Sequence, residues 1–180
     1  MKPLLVALFI VVSTVSLNAQ TTFHHVHLNS IHPEAAINFY TKTFDVTRKT
    51  TLAGWNAVQS EQMYLLFNKV YKPPSTLLET ALWHFGWGST AMETDYQTHL
   101  ANGVPFATPM TRLNANLLFA YMRAPDGALV EIHTASSRAF LPTHLFSAAP
   151  LCAAEWYVKH LGAISRATFR LLRGSICRAE

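Results

Sequence analysis

Two histidines and one glutamate are the residues of this chain best placed to do chemistry. His25 stands near the start of a strand-like run at 23–29, His84 near the start of a second at 81–87, and Glu131 in a third at 128–134. Two imidazoles and a carboxylate can hold one face of a divalent ion and leave its other positions to a substrate. Such a set suits Fe(II) or Mn(II) as cofactor, with Zn(II) and Ni(II) as alternatives. His133 follows Glu131 by two residues and His27 follows His25 by two, so strand alternation puts each beside its partner on one face. His27 and His133 are therefore the candidate general acid/base groups. Alternation turns His24 the other way. Tyr64, Trp87, Tyr121 and Met122 are candidates to line a pocket around these groups, although a strand aromatic is more often core.

The elements that must carry these residues repeat along the chain. Residues 27–45 align without gaps on 144–162, with His27/His144, Leu28/Leu145, Ser30/Ser147, Pro33/Pro150, Ala36/Ala153, Tyr40/Tyr157 and Lys42/Lys159 identical. A weaker copy begins at His84. In the first block Pro33 fits a first helical position, and Ile37, Tyr40 and Phe44 form a helical stripe. In the second, Thr90 and Glu93 have capping-box spacing, Met92, Tyr96 and Leu100 form the stripe, and Gly103 marks the stop. Strand-like runs follow at 46–52, 55–60 and 62–70 in the first unit. In the second they fall at 117–123 and 128–134, joined by the turn Ala124-Pro125-Asp126-Gly127. Lys72-Pro73-Pro74-Ser75 makes a stiff connection between units. The order is β-α-β-β-β, twice, then a third β-α start whose residue equivalent to His25 is Pro142.

This pattern resembles the vicinal oxygen chelate superfamily of glyoxalase I, bleomycin- and fosfomycin-resistance proteins and extradiol dioxygenases. The resemblance rests on His25-Val26-His27-Leu28, Phe39-Tyr40, and Pro125-Asp126-Gly127 leading into Val130-Glu131-Ile132. It implies an α+β fold in which paired βαβββ modules form a cupped mixed sheet, here with an incomplete C-terminal β-α module. The family's metal positions fall on His25, His84 and Glu131, and the fourth falls near Leu66, which cannot bind metal. That break makes a dioxygenase-like enzyme, acting on a small oxygen-rich or aromatic substrate, the leading expectation. A glyoxalase-type lyase or isomerase and a metal-free small-molecule binding protein are the alternatives. The resemblance is also compatible with a homodimer.

Composition bounds the remaining choices. Met1-Lys2-Pro3, an apolar run at 4–12 and small residues up to Ala19 read as a signal peptide over 1–19, hence a secreted or periplasmic protein. The run is too short to span a bilayer, which needs about 20 apolar residues. The expected domain then covers 20–137, with the incomplete module and a basic, helix-patterned tail over 138–180. Net charge is +4, but Lys159, Arg166, Arg170, Arg173 and Arg178 crowd the C-terminus. The body is near neutral, which argues against nucleic acid as a partner. Cys152 and Cys177 permit one disulfide but no disulfide framework. Cys152 aligns with Ala35 on a helix, which favours an inert buried thiol. No CxxC pair or phosphate-cradling glycine loop is present.

Overall fold

The computed structural model describes residues 21–72 and 80–165. The 1–19 segment, Pro73-Pro74-Ser75 and the tail beyond 165 lie outside the described residues. The first unit comprises β1 (His25–Ser30), α1 (Pro33–Thr43), β2 (Thr47–Leu52), β3 (Trp55–Ser60) and β4 (Met63–Lys69). The second comprises β5 (Leu82–Ser89), α2 (Met92–Ala101), β6 (Phe106–Asn114), β7 (Leu117–Arg123) and β8 (Leu129–Thr134). A third start follows as β9 (Phe140–Leu145) and α3 (Pro150–Leu161). Strand order is β1-β4-β3-β2 in one sheet and β6-β7-β8-β5-β9 in the other. In each unit the first strand runs parallel to the last, β1 to β4 and β5 to β8, while the remaining neighbours are antiparallel. The paired βαβββ organisation read from the repeat is thus present, and β9 adds an antiparallel fifth strand beside β5.

Local chemistry explains most of these elements. Pro33 sits in the first turn of α1, and Ile37, Tyr40 and Phe44 all face inward. The second helix departs from expectation. Its buried stripe is Met92, Tyr96 and His99, while Leu100 is 42% exposed. A residue seven positions on stays over Met92 better than one eight positions on, and the ring of His99 lies 6.0 Å from that of Phe44. The capping box also fails to form. Ala91 occupies the N-cap with no side-chain cap, and Ser89 Oγ instead accepts the Ala91 N–H at 3.1 Å while its hydroxyl donates to Asp95 at 2.5 Å. Gly103 ends α2 at φ +74°, a conformation that suits glycine. Strand β6 was not among the runs read from the sequence, because Pro109 and its polar neighbours mask the alternation.

The two units share one core. Phe44 of α1 stacks on Trp87 of β5 with centroids 4.0 Å apart, and Tyr40 packs against both Phe85 and Trp87. The Trp87 indole N–H donates to Ser60 Oγ at 3.0 Å, tying β5 to β3. Trp87 and Met122, candidates for pocket lining, are instead 1% and 0% exposed in this core. The turn before β8 adds a second tie: Asp126, at φ +62°, accepts the Ile31 N–H on Oδ1 at 3.2 Å. No described helix is long and apolar enough to cross a membrane.

Candidate metal centre

Three strands of the larger sheet bring ligand-type side chains to one point. His84 comes from β5, Glu131 from β8 and His144 from β9. Parallel pairing sets Gly86 against Glu131, and antiparallel pairing sets His84 against His144. Gly86 allows the close approach of β8: a Cβ there would lie 2.1 Å from the Glu131 backbone carbonyl oxygen. Between Leu82 and His84 the register with β9 shifts, so Trp83 occupies an irregularity in β5. Its ring reaches both His84, at 4.5 Å, and Tyr121, at 6.1 Å.

The geometry is convergent. Nε2 of His84 lies 2.9 Å from Oε2 of Glu131, and Nδ1 of His144 lies 2.5 Å from the same His84 nitrogen. His144 Nδ1 is 3.7 Å from Glu131 Oε2, and the three ligand atoms all fall within 4.8 Å of one another. The His84 side chain is fully buried, that of Glu131 is one-tenth exposed, and that of His144 is half exposed. The cluster therefore has a closed floor and an open side. Burial pushes the His144 imidazole below its ordinary pKa, His84 and His133 push the same way, and Glu131 opposes them. Neutral imidazole is the form that binds metal.

Two residues stand beside this centre. His133 Nδ1 lies 3.9 Å from Glu131 Oε1 and, like His84 Nδ1, is buried without a hydrogen-bond partner among the described residues. Tyr121, in register with Glu131, places its ring 4.8 Å from that of His84. Burial raises its hydroxyl pKa and the Glu131 charge adds to this, so Tyr121 remains a hydrogen-bond donor.

The structure brings together His84 and Glu131 of the expected set, with His133 adjoining. It does not bring His25 or His27 to them. Both lie on β1 in the other sheet, in register with Tyr64 and Leu66 of β4, and their rings contact each other, His24 and Trp55. His144, which was not among the expected residues, lies beside His84 and Glu131 instead. Its signal was present in the repeat, where His144 matches His27. At the position equivalent to His25 the third start carries Pro142, and its histidine falls two residues later, in register with His84. Cys152 on α3 is half-buried and disulfide-bonded, in place of the inert buried thiol expected there.

Comparison with known proteins gives a consistent fold. The sequence profile of the Glyoxalase/Bleomycin resistance protein/Dioxygenase superfamily matches residues 22–132. The chain is similar in structure to the V278E mutant of glyoxalase I from Zea mays, with a TM-score of 0.65 and 15% identity. That match covers 78% of this chain and 54% of the maize chain. An integron cassette protein from the mobile metagenome of V. cholerae matches at a TM-score of 0.50 and 19% identity, over 64% of this chain and 96% of that one. No curated protein matches the chain.

Proposed function

This chain belongs to the Glyoxalase/Bleomycin resistance protein/Dioxygenase superfamily, and on that premise we propose that it is a metal-dependent enzyme centred on His84, Glu131 and His144. The observation that carries the reading is the convergence of two imidazole nitrogens and one carboxylate oxygen on a single point, two of the three side chains being buried. Such groups are seldom buried together without a shared partner, and here His84 Nε2, Glu131 Oε2 and His144 Nδ1 crowd one another with no cation among the described residues to share them. The residues present thus fit a divalent ion, with Fe(II) or Mn(II) favoured and Zn(II) or Ni(II) as alternatives. When bound, the ion supplies Lewis acidity and positions open to oxygen ligands.

The chain's own groups supply the rest. The exposed side of His144 admits a small substrate carrying two neighbouring oxygens. Tyr121 donates a hydrogen bond to one of them, and His133 accepts or returns a proton beside Glu131. We favour dioxygenase-like over glyoxalase-like chemistry. Isomerisation calls for a second carboxylate as base, and Glu131 is the one carboxylate in the cluster. The test is anaerobic Fe(II) loading, then oxygen with a panel of catechols, read by the absorbance of ring-cleaved product. Turnover of a methylglyoxal–thiol adduct with silence on catechols would select the lyase. Less than about a tenth of an equivalent of any divalent metal after reconstitution would select a metal-free binding protein. The 1–19 pattern and the disulfide at Cys152 support export, which fractionation of expressing cells would test.

A further inference from the structure

A cavity of about 360 Å³ opens between the turn that joins β3 to β4 and the first residues of β9. That volume lies within the range of small-molecule sites. Phe23, Met63, Phe140 and Leu141 supply apolar surface, and Glu61 is the one charged residue among those described that lines it. The cavity is distinct from the centre at His84. Thr143, on its β9 wall, is in register with the core residue Phe85, whereas strand alternation turns His144 to the opposite face. Phe140 forms a fixed platform, with its ring 5.9 Å from Phe85 and 5.2 Å from Trp87, and Phe23 stacks on it at 6.0 Å. Phe23 and Leu141 are each about half exposed, so apolar surface stays open at the mouth. Glu61 adopts φ +52°, a left-handed conformation that glycine or asparagine holds with less strain. A carboxylate thus stands where backbone preference alone would not put one, and it makes no ion pair among the described residues.

We propose that this cavity binds an arylalkyl ammonium ion, with its ring against Phe140 and Phe23 and its charged nitrogen beside Glu61. The aromatic walls favour a flat apolar group, and their ring faces also attract a cation. Glu61 sets the sign of charge that is accepted, because no lysine, arginine or histidine lines the cavity among the described residues. An aryl carboxylate of the same size gains the stacking but is repelled by Glu61. A neutral aryl alcohol gains the stacking alone.

The experiment titrates the full chain with phenethylamine, 2-phenylethanol and phenylacetate, followed by calorimetry. Phenethylamine should bind about fivefold more tightly than 2-phenylethanol, the scale of one exposed charge pair, and phenylacetate should bind most weakly. Glu61→Gln should remove the advantage of the amine and leave the affinity for 2-phenylethanol unchanged. Leu141→Arg places a cation on the opposite wall and should invert the order of amine and carboxylate. Both positions are exposed, and thermal melting checks that each variant is folded. His144→Ala should leave the amine isotherm unchanged, which separates this site from the metal centre. Phenylacetate binding as tightly as phenethylamine in the parent protein would overturn the proposal. So would an amine affinity that Glu61→Gln moves less than about twofold, or no heat from the amine up to about 10 mM. Loss of amine binding in His144→Ala would place the ligand at the centre instead and overturn it equally.

Discussion

His84, Glu131 and His144 act as a unit only if each supplies a donor, so removing any one should cost more than a change around it. His84→Ala, Glu131→Gln and His144→Ala are each expected to weaken Mn(II) binding by more than about a hundredfold, because even outer partners of a metal are worth about 10–100-fold. Titration calorimetry checks this, and His24→Ala should leave the Mn(II) isotherm unchanged. Tyr40 offers a test in the opposite direction. Its hydroxyl is buried without a partner among the described residues, and burial together with the Asp126 charge holds its pKa far above the ordinary phenol value. Tyr40→Phe removes that unpaired group and keeps the ring stacked in the core. It should be neutral or raise stability by up to about 1 kcal/mol, measured by urea unfolding. The sequence exposed part of this cluster of side chains. Glu131 was legible from the Pro125-Asp126-Gly127 turn that precedes it, and His84 from its strand. The place of His144 beside them was not, because β9 belongs to a different copy of the repeat and no spacing rule within one copy reaches it.

The elements make sense of those successes and failures. α1 was readable because Pro33, Ile37, Tyr40 and Phe44 obey one helical period. α2 was misread in detail because its N-terminal hydroxyl comes from Ser89, which caps Ala91 from the preceding strand. β5 depends on a residue with no side chain. A methyl group at Gly86 would meet the carbonyl of Glu131, and β8 cannot retreat without moving the carboxylate itself. Gly86→Ala is therefore expected to cost about 1–3 kcal/mol, as overpacking does, and to weaken Mn(II) binding alongside stability. Thermal denaturation with and without Mn(II) separates the two effects. If Gly86→Ala unfolds at the parental temperature, the approach of β5 and β8 is looser than described. Where α1, α2 and the segment after β8 meet, Arg138 donates to Asp95 at 2.8 Å, with Asp45 3.9 Å away and His99 nearby. Burial lowers the His99 pKa, Arg138 adds to this, and Asp95 and Asp45 oppose it. A histidine lowered in the folded state contributes stability that is complete above its unfolded value of about 6.5 and is lost as pH falls through it. Melting temperature should therefore drop between pH 7 and pH 5, and His99→Gln should flatten that slope.

At the scale of the molecule, the shared core predicts a single transition. Phe44 belongs to the first unit and Trp87 to the second, and their stacking leaves no plane along which the halves can part without exposing both. Calorimetry should show one cooperative unfolding event, and Phe44→Ala should lower it by about 3–5 kcal/mol without splitting it. Two resolved peaks would mean that the units fold independently. The repeat announced two units and the start of a third, and that much of the architecture was legible. Which unit partners which was not, because sheet pairing depends on the free edges of folded strands. The outcome is unequal: β9 covers the edge of β5, while among the described residues β1 has β4 as its one neighbour. An uncovered edge offers unpaired amide and carbonyl groups to any extended segment that drifts past, which is how ordered aggregation begins. Charge is a usual protection against that, and β1 carries no lysine, arginine, aspartate or glutamate. Asn29→Lys, exposed on that strand, should then lengthen the shelf life of concentrated solutions, a colloidal effect with no counterpart in the activity of the dilute protein.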